Sequence, residues 1–322
     1  MNFIKKSIFI ILIPLFFSFS ARAEVNVVTT IKPLHSLVSS VMKGVGEPSL
    51  IIEGTNNPHT FVFKPSHAEM IENADIIFWI GEDLEAFMEK PLDSLAKNAK
   101  TIAFMDLASI EKLKFREQNI FDDHDDHGHD DHDDHGHKDD DHDDHAGHHD
   151  GHNHGEFDAH IWLDPANAKE MVLEISHELS ELDPSNKSKY EDNASKTIVA
   201  LDKLIEEVDK SLSKDISYIV FHDAYQYFEK RFGVIPAGAL TLNPDVLPGA
   251  KQIADIQDVI NDKGIKCIFS EPQYNPKIIE TLGNDMNIST GVMDPLGAYI
   301  DAGPSMYSDL INQIANSIKD CH

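Results

Sequence analysis

The run ADIIFWIG, Ala74–Gly81, decides the fold class. Ile76 to Ile80 are all apolar, so the stretch has no polar face to turn toward water. A strand with one solvated face alternates apolar and polar residues. A near-continuous apolar run is what a parallel sheet covered on both sides requires. Working outward, a helical stretch from Ser66 to Asn73 leads into this strand, and TIAFMD (Thr101–Asp106) follows it as another. Upstream lie VNVVTT (Val25–Thr30), the helically spaced LHSLVSSVMKG after Pro33, and SLII (Ser49–Ile52) with its polar loop EGTNNPHTFVFKP. Strands that alternate with helices imply right-handed crossovers and an open sheet.

Beyond a tract rich in His and Asp, HIWLDP leads into a helix over Asn167–Leu182. Tyr190, Ala194, Ile198, Leu201, Leu204, Ile205, Val208 and Leu212 then recur at threes and fours. That spacing predicts a helix of about 28 residues and about 40 Å. A second series follows with ISYIVF, VIPAGAL, IKCIF and ISTGVM as strands and helical stretches between them. The expected class is α/β: two open parallel-sheet lobes, 24–183 and 214–322, joined by one long rigid helix over 184–213. A helical joint resists bending more than a flexible linker does.

The beginning of the chain reads as a secretory signal. Lys5 and Lys6 precede an apolar run from Ser7 to Phe19, and Ala21-Arg22-Ala23 supplies a cleavage site. About thirteen apolar residues are too few to span a bilayer. The expectation is therefore an exported chain, cleaved after Ala23 and working in the periplasm without membrane insertion. An oxidising compartment allows Cys267 and Cys321, the only 2 cysteines, to pair. The other reading is two free thiols. The balance of 27 basic against 56 acidic residues argues against nucleic acid or an anionic membrane as partner and suits cations.

From Asp122 to His154 the chain holds 14 Asp, one Lys and 12 of the 19 histidines: His124, His127, His129, His132, His135, His137, His142, His145, His148, His149, His152 and His154. No hydrophobic residue occurs between Phe121 and Phe157 apart from Ala146. Such a segment, 122–155, cannot bury enough apolar area to offset its ordering entropy, so a loop is expected. Its irregular histidine spacings suit many weak, overlapping metal sites rather than one fixed shell. A site prepared by the fold loses less entropy on binding and is tighter.

The remaining histidines differ in kind. His35, His67 and His177 lie within or beside helical stretches, where solvation or core packing is the ordinary fate of a histidine, and His322 is the last residue. His59 follows strand SLII, His160 opens HIWLDP, His222 ends ISYIVF and Asp294 follows ISTGVM. Open parallel sheets bind ligands in the crevice outside the carboxyl ends of their strands. Two facing lobes would bring these four residues into one cleft. Three imidazoles and a carboxylate suit Zn²⁺ in a tetrahedral shell, with Cu²⁺ and Ni²⁺ as further options.

At these residues the chain resembles the metal-specific solute-binding proteins of bacterial ABC uptake systems, most closely the zinc-binding subunits of high-affinity zinc importers. The landmarks are IKPLHSLV, NPHTFVFKPS, NADIIFWIGEDLEAFMEKP, the His/Asp-rich insertion, HIWLDP, FHDAYQYFEKRFG, PGAKQI, SEPQYNP and DPLG. The resemblance implies two α/β lobes, a rigid connecting helix and zinc held by His59, His160 and His222. Asp294 or a water would take the fourth position. Manganese relatives carry Glu where His222 stands, so FHDAY points to zinc. Some zinc members have an acidic residue just before the first histidine. Pro58 stands there in this chain, which favours Asp294.

The implied function is capture of Zn²⁺ as transported cargo and delivery to a membrane ABC permease by a monomeric protein, with the tract as a loose collector. Two other classes fit parts of the pattern. A zinc buffer would act through the tract alone. A zinc hydrolase would use the three histidines with a bound water and Glu271 as general base, although the chain has no H-E-x-x-H and a structural pairing suits Glu271 better.

Overall fold

The computed structural model describes residues 25–121, 155–244 and 246–321. The signal segment 1–23, the tract histidines and His322 lie outside the described residues. Among the described residues the chain forms two parallel four-stranded sheets. The first contains β1 (Val27–Thr29), β2 (Ser49–Leu50), β3 (Ile76–Trp79) and β4 (Lys100–Ala103), in the order β2-β1-β3-β4. The second contains β5 (Tyr218–His222), β6 (Gly238–Thr241), β7 (Cys267–Ser270) and β8 (Ser289–Val292), in the equivalent order β6-β5-β7-β8. Every residue of β3 is buried, as its unbroken apolar run requires.

Helices cover the first sheet: α1 (Lys32–Val41), α2 (Pro65–Glu72) and the short α3 (Glu82–Glu85) and α4 (Glu89–Leu95). Pro33 lies in the first turn of α1, where its missing N–H is harmless, and Leu34, Leu37, Val38 and Val41 form the buried stripe. Two antiparallel helices follow, α5 (Pro165–Leu182) and α6 (Lys187–Ser211). Asp164 starts α5 by accepting the Ala166 N–H at 2.8 Å, with Pro165 at the first helical position. The 25 residues of α6 span about 37 Å, and its buried positions Tyr190, Ala194, Leu201, Leu204 and Val208 follow the expected spacing. The second half of the chain adds α7 (Gln226–Phe232), α8 (Ala250–Lys263), α9 (Lys277–Met286) and α10 (Met306–Lys319). No helix of the described residues is long and apolar enough to cross a membrane.

The two parallel sheets are those of the expected fold class, yet the chain does not divide cleanly between them. After β4 the backbone crosses to the second sheet, where Ile120 bridges Gly238 in antiparallel fashion and the Phe121 N–H reaches the Ala237 carbonyl at 3.0 Å. Residues assigned from sequence order to the first lobe thus extend the β6 edge of the second. α10 makes the reverse crossing and packs against α1 and α6. One hydrophobic cluster consequently runs through both lobes. Cys267, at the start of β7, is disulfide-bonded to Cys321 just past α10, with Cα atoms 5.6 Å apart.

Candidate metal centre

In both sheets the chain winds one way from the first strand and then crosses to its other side, so the crevice opens between the two central strands. His222 is the last residue of β5 and stands at this point of the second sheet. Glu271 immediately follows β7 on the other side of the crevice. Its Oε1 lies 2.7 Å from His222 Nδ1. His160 comes from the turn that precedes α5, and its Nδ1 lies 2.6 Å from Asp158 Oδ1. The same Asp158 oxygen accepts the His160 backbone N–H at 2.9 Å. His59 lies in the loop after β2, where its N–H donates to Asn57 Oδ1 at 2.9 Å. The Asn57 amide then donates to Tyr274 Oη at 3.0 Å and ties this loop to the second lobe.

These three histidines converge. One ligand nitrogen of each lies within 4.8 Å of the others. The tautomers follow from the partners, because a carboxylate oxygen only accepts. In the neutral form His160 and His222 therefore carry the proton on Nδ1 and turn the Nε2 lone pair into the cleft. Those two Nε2 atoms are 3.4 Å apart. Between neutral rings two lone pairs at that distance repel, and a shared proton or a metal ion between them relieves the repulsion. Tetrahedral bonds of about 2.0–2.1 Å place two ligand nitrogens about 3.3–3.4 Å apart, so the spacing fits a zinc-sized ion. Burial on its own pulls the His222 imidazolium toward deprotonation, but Glu271 overrides it, with Asp223 and Asp158 adding to the effect, and the net shift is upward.

The walls are apolar and aromatic. Trp162 lies 5.2 Å from His160 between ring centres, and its Nε1–H donates to the Pro295 carbonyl at 2.8 Å. Tyr274 stands 5.7 Å from His222 and stacks on Phe221 at 4.6 Å. Beneath the site Arg116 bridges Asp223 at 2.7 Å and Glu229 at 2.8 Å. Desolvation raises the Glu229 carboxyl to about 7 against the pull of Arg116.

Asp294 does not join the three histidines. Its Oδ1 accepts from Gln273 Nε2 at 2.9 Å and from the Leu296 N–H at 3.0 Å, while Oδ2 accepts the Ala298 N–H at 2.5 Å. The carboxylate is engaged in folding its own loop, a task that strand-end position alone does not distinguish from ligation. His35 bonds the Pro48 carbonyl at 3.1 Å, and His67 accepts the Lys64 N–H at 3.1 Å. His177 forms a second group with Glu178 and Glu181 on α5. Lys100 sits against both glutamates there. Asp158 is not among the site residues that the sequence pattern picks out. The signal was present as Asp-Ala-His, a carboxylate two residues ahead of a histidine and able to reach its ring.

A two-lobed α/β chain with histidines gathered in the cleft belongs to the class of metal-specific solute-binding proteins. The family model described as "Zinc-uptake complex component A periplasmic" matches residues 27–321, and the chain belongs to that family. It is 48% identical over 305 residues to the high-affinity zinc uptake system protein ZnuA of Brucella abortus (strain 2308), covering 92% of this chain and 91% of that one. The protein of the same name from Yersinia pestis is 33% identical over 303 residues, covering 93% and 92%. Among solved structures, a crystal structure of ZnuA superposes with a TM-score of 0.73 at 21% identity over 93% of this chain and 99% of that one. The periplasmic zinc-binding protein TroA from Treponema pallidum gives 0.72 at 19%, covering 93% and 99%. At these identities the structural likeness speaks for the fold.

Proposed function

We propose that this protein takes up Zn²⁺ in the interlobe cleft on His59, His160 and His222 and hands it to a membrane ABC permease. It is a periplasmic solute-binding component of a zinc uptake system and not an enzyme, as its family and relatives are. No bond is made or broken. The reading rests chiefly on one observation: two buried imidazoles, each with Nδ1 on a buried carboxylate, face each other through Nε2 at 3.4 Å. The carboxylates orient the rings and make them better donors, the usual role of such partners behind a zinc-bound histidine. Glu271 serves His222 in this way rather than as a general base.

Asp294 stays with its loop, and a water completes the shell. Export with cleavage after Ala23 and a single chain as the working unit complete the proposal. The His/Asp-rich tract, His124 to His154, collects zinc loosely and raises its concentration near His160. Deleting Asp122–Gly155 and titrating with zinc tests this division of labour. One tight equivalent is expected to remain while weaker ones disappear. Its metal-edge absorption spectrum should report nitrogen ligands with a single further light atom. Loss of the tight equivalent would assign the whole function to the tract.

A further inference from the structure

Lys32 is the first residue of α1, at the carboxyl end of β1, and only 8% of it is exposed. A lysine buried to this degree needs partners for all three ammonium hydrogens. It finds them in the other lobe. Nζ donates to the carbonyls of Gly297 at 2.9 Å, Ala298 at 2.9 Å and Ile300 at 3.0 Å. These carbonyls belong to the loop that leaves β8, whose other end is folded by Asp294 through Leu296 and Ala298. Gly297 has a φ of +61°, and a Cβ there would run into Met306 and Ile300, so the turn that presents its carbonyl needs glycine.

The same loop reaches the metal centre. Pro295 and Leu296 line the cavity that holds His59, His160 and His222. The Pro295 carbonyl holds Trp162, whose ring lies against His160. A continuous chain of contacts therefore runs from the Lys32 ammonium through the loop to the face of a histidine. Lys32 and His59 belong to the first lobe, and the loop leads from β8 of the second lobe to α10, which packs against α1. Separating the cleft walls at this point means pulling an ammonium away from three buried carbonyls.

We propose that Lys32 is the interlobe latch of the metal cleft, a positioning residue that holds the wall formed by Pro295 and Leu296 closed and sets how fast zinc leaves. The inference rests on the zinc reading above and adds the element that controls release. Lys32→Met keeps the length of the side chain and removes the donors. Gly297→Ala disturbs the same latch from the other lobe. Both leave the three histidines in place.

The test uses the full chain, washed free of loosely held metal, with zinc dissociation followed by stopped flow into excess chelator. Each variant is expected to release zinc on the order of tenfold or more faster, as loss of hydrogen bonds from a charged donor implies. The Co²⁺ form should keep the visible bands of the parent, because the ligands do not change. The double variant should be no faster than the faster single one, because both act on one latch. Unchanged release in both single variants would overturn the proposal, as would shifted Co²⁺ bands or additive acceleration. If Lys32→Met does not fold, Lys32→Gln is judged by the same criteria. Failure of the zinc reading is separately visible, since it would leave zinc retention undiminished in His222→Ala with Lys32 intact.

Discussion

The two sheets share one strand order, and each has a crevice between its central strands, yet the crevices are furnished differently. In the second lobe β5 ends in His222 and Glu271 faces it, so an oriented imidazole points into the cleft. In the first lobe the backbone beyond β3 turns inward. The Ile80 N–H donates to Glu85 Oε2 at 2.8 Å and the Gly81 N–H at 3.3 Å. There a buried carboxylate closes the crevice from within, while Lys32 reaches across into the other lobe. Desolvation raises Glu85 to about 7 despite those hydrogen bonds. Shared topology offers two equivalent places for a ligand. Side-chain chemistry makes one of them a donor site and the other part of the scaffold.

The contrast can be broken most sharply at His222. Its replacement by alanine removes a proposed ligand and should weaken the tight zinc site by more than about 100-fold, the upper range for the loss of an outer partner. Isothermal competition with a chelator measures this, and retained affinity would put the site elsewhere. Glu271→Ala leaves all three imidazoles but frees the His222 ring, for an expected loss of about 10–100-fold. In the metal-free protein the His222 ring should titrate above the ordinary imidazole value and move down in this variant, since Glu271 is the chief group raising it. Proton NMR of the imidazole CH signals would follow it.

Glu85→Gln should leave zinc affinity unchanged and act on stability instead. The native carboxyl rises from 4.5 to about 7, so its contribution is fully present below about pH 4.5 and is lost as the pH climbs through 7. The difference amounts to about 3 kcal/mol across that window and should be absent from the glutamine variant in denaturant melts. A variant that kept the wild-type pH dependence would remove Glu85 from the account. Reducing Cys267–Cys321 is likewise expected to act on stability rather than on zinc. Its loss costs up to about 4 kcal/mol of stability on the chain-entropy model. The metal site itself should persist wherever the reduced chain remains folded.

Much of this architecture was legible in local pattern. The apolar run of β3 and the threes and fours of α6 each state their own secondary structure. The short α3 and α4 have no clear sequence signal, because EDLEAFMEKP carries too brief an apolar pattern for a helix to declare itself. His222 stands out at a strand end, and His59 and His160 in loops able to face the same cleft. Asp294 has the same kind of position, but three hydrogen-bond donors close around it. The crossing of Asn119–Phe121 to the β6 edge had no local signal, because pairing along a sheet edge depends on where distant segments end up.

By itself the sequence determined the alternation of strand and helix, the parallel class of the sheets and the residue types able to hold a transition metal. These follow from side-chain period and chemistry, which are local properties. Tertiary structure alone decided that His160 and His222 would meet at 3.4 Å, that Asp158 and Glu271 would orient them, and that Lys32 would clasp the opposite lobe. Those outcomes depend on how two sheets pack through one shared core. The packing energy is summed over dozens of contacts distant in sequence, and no short stretch records it.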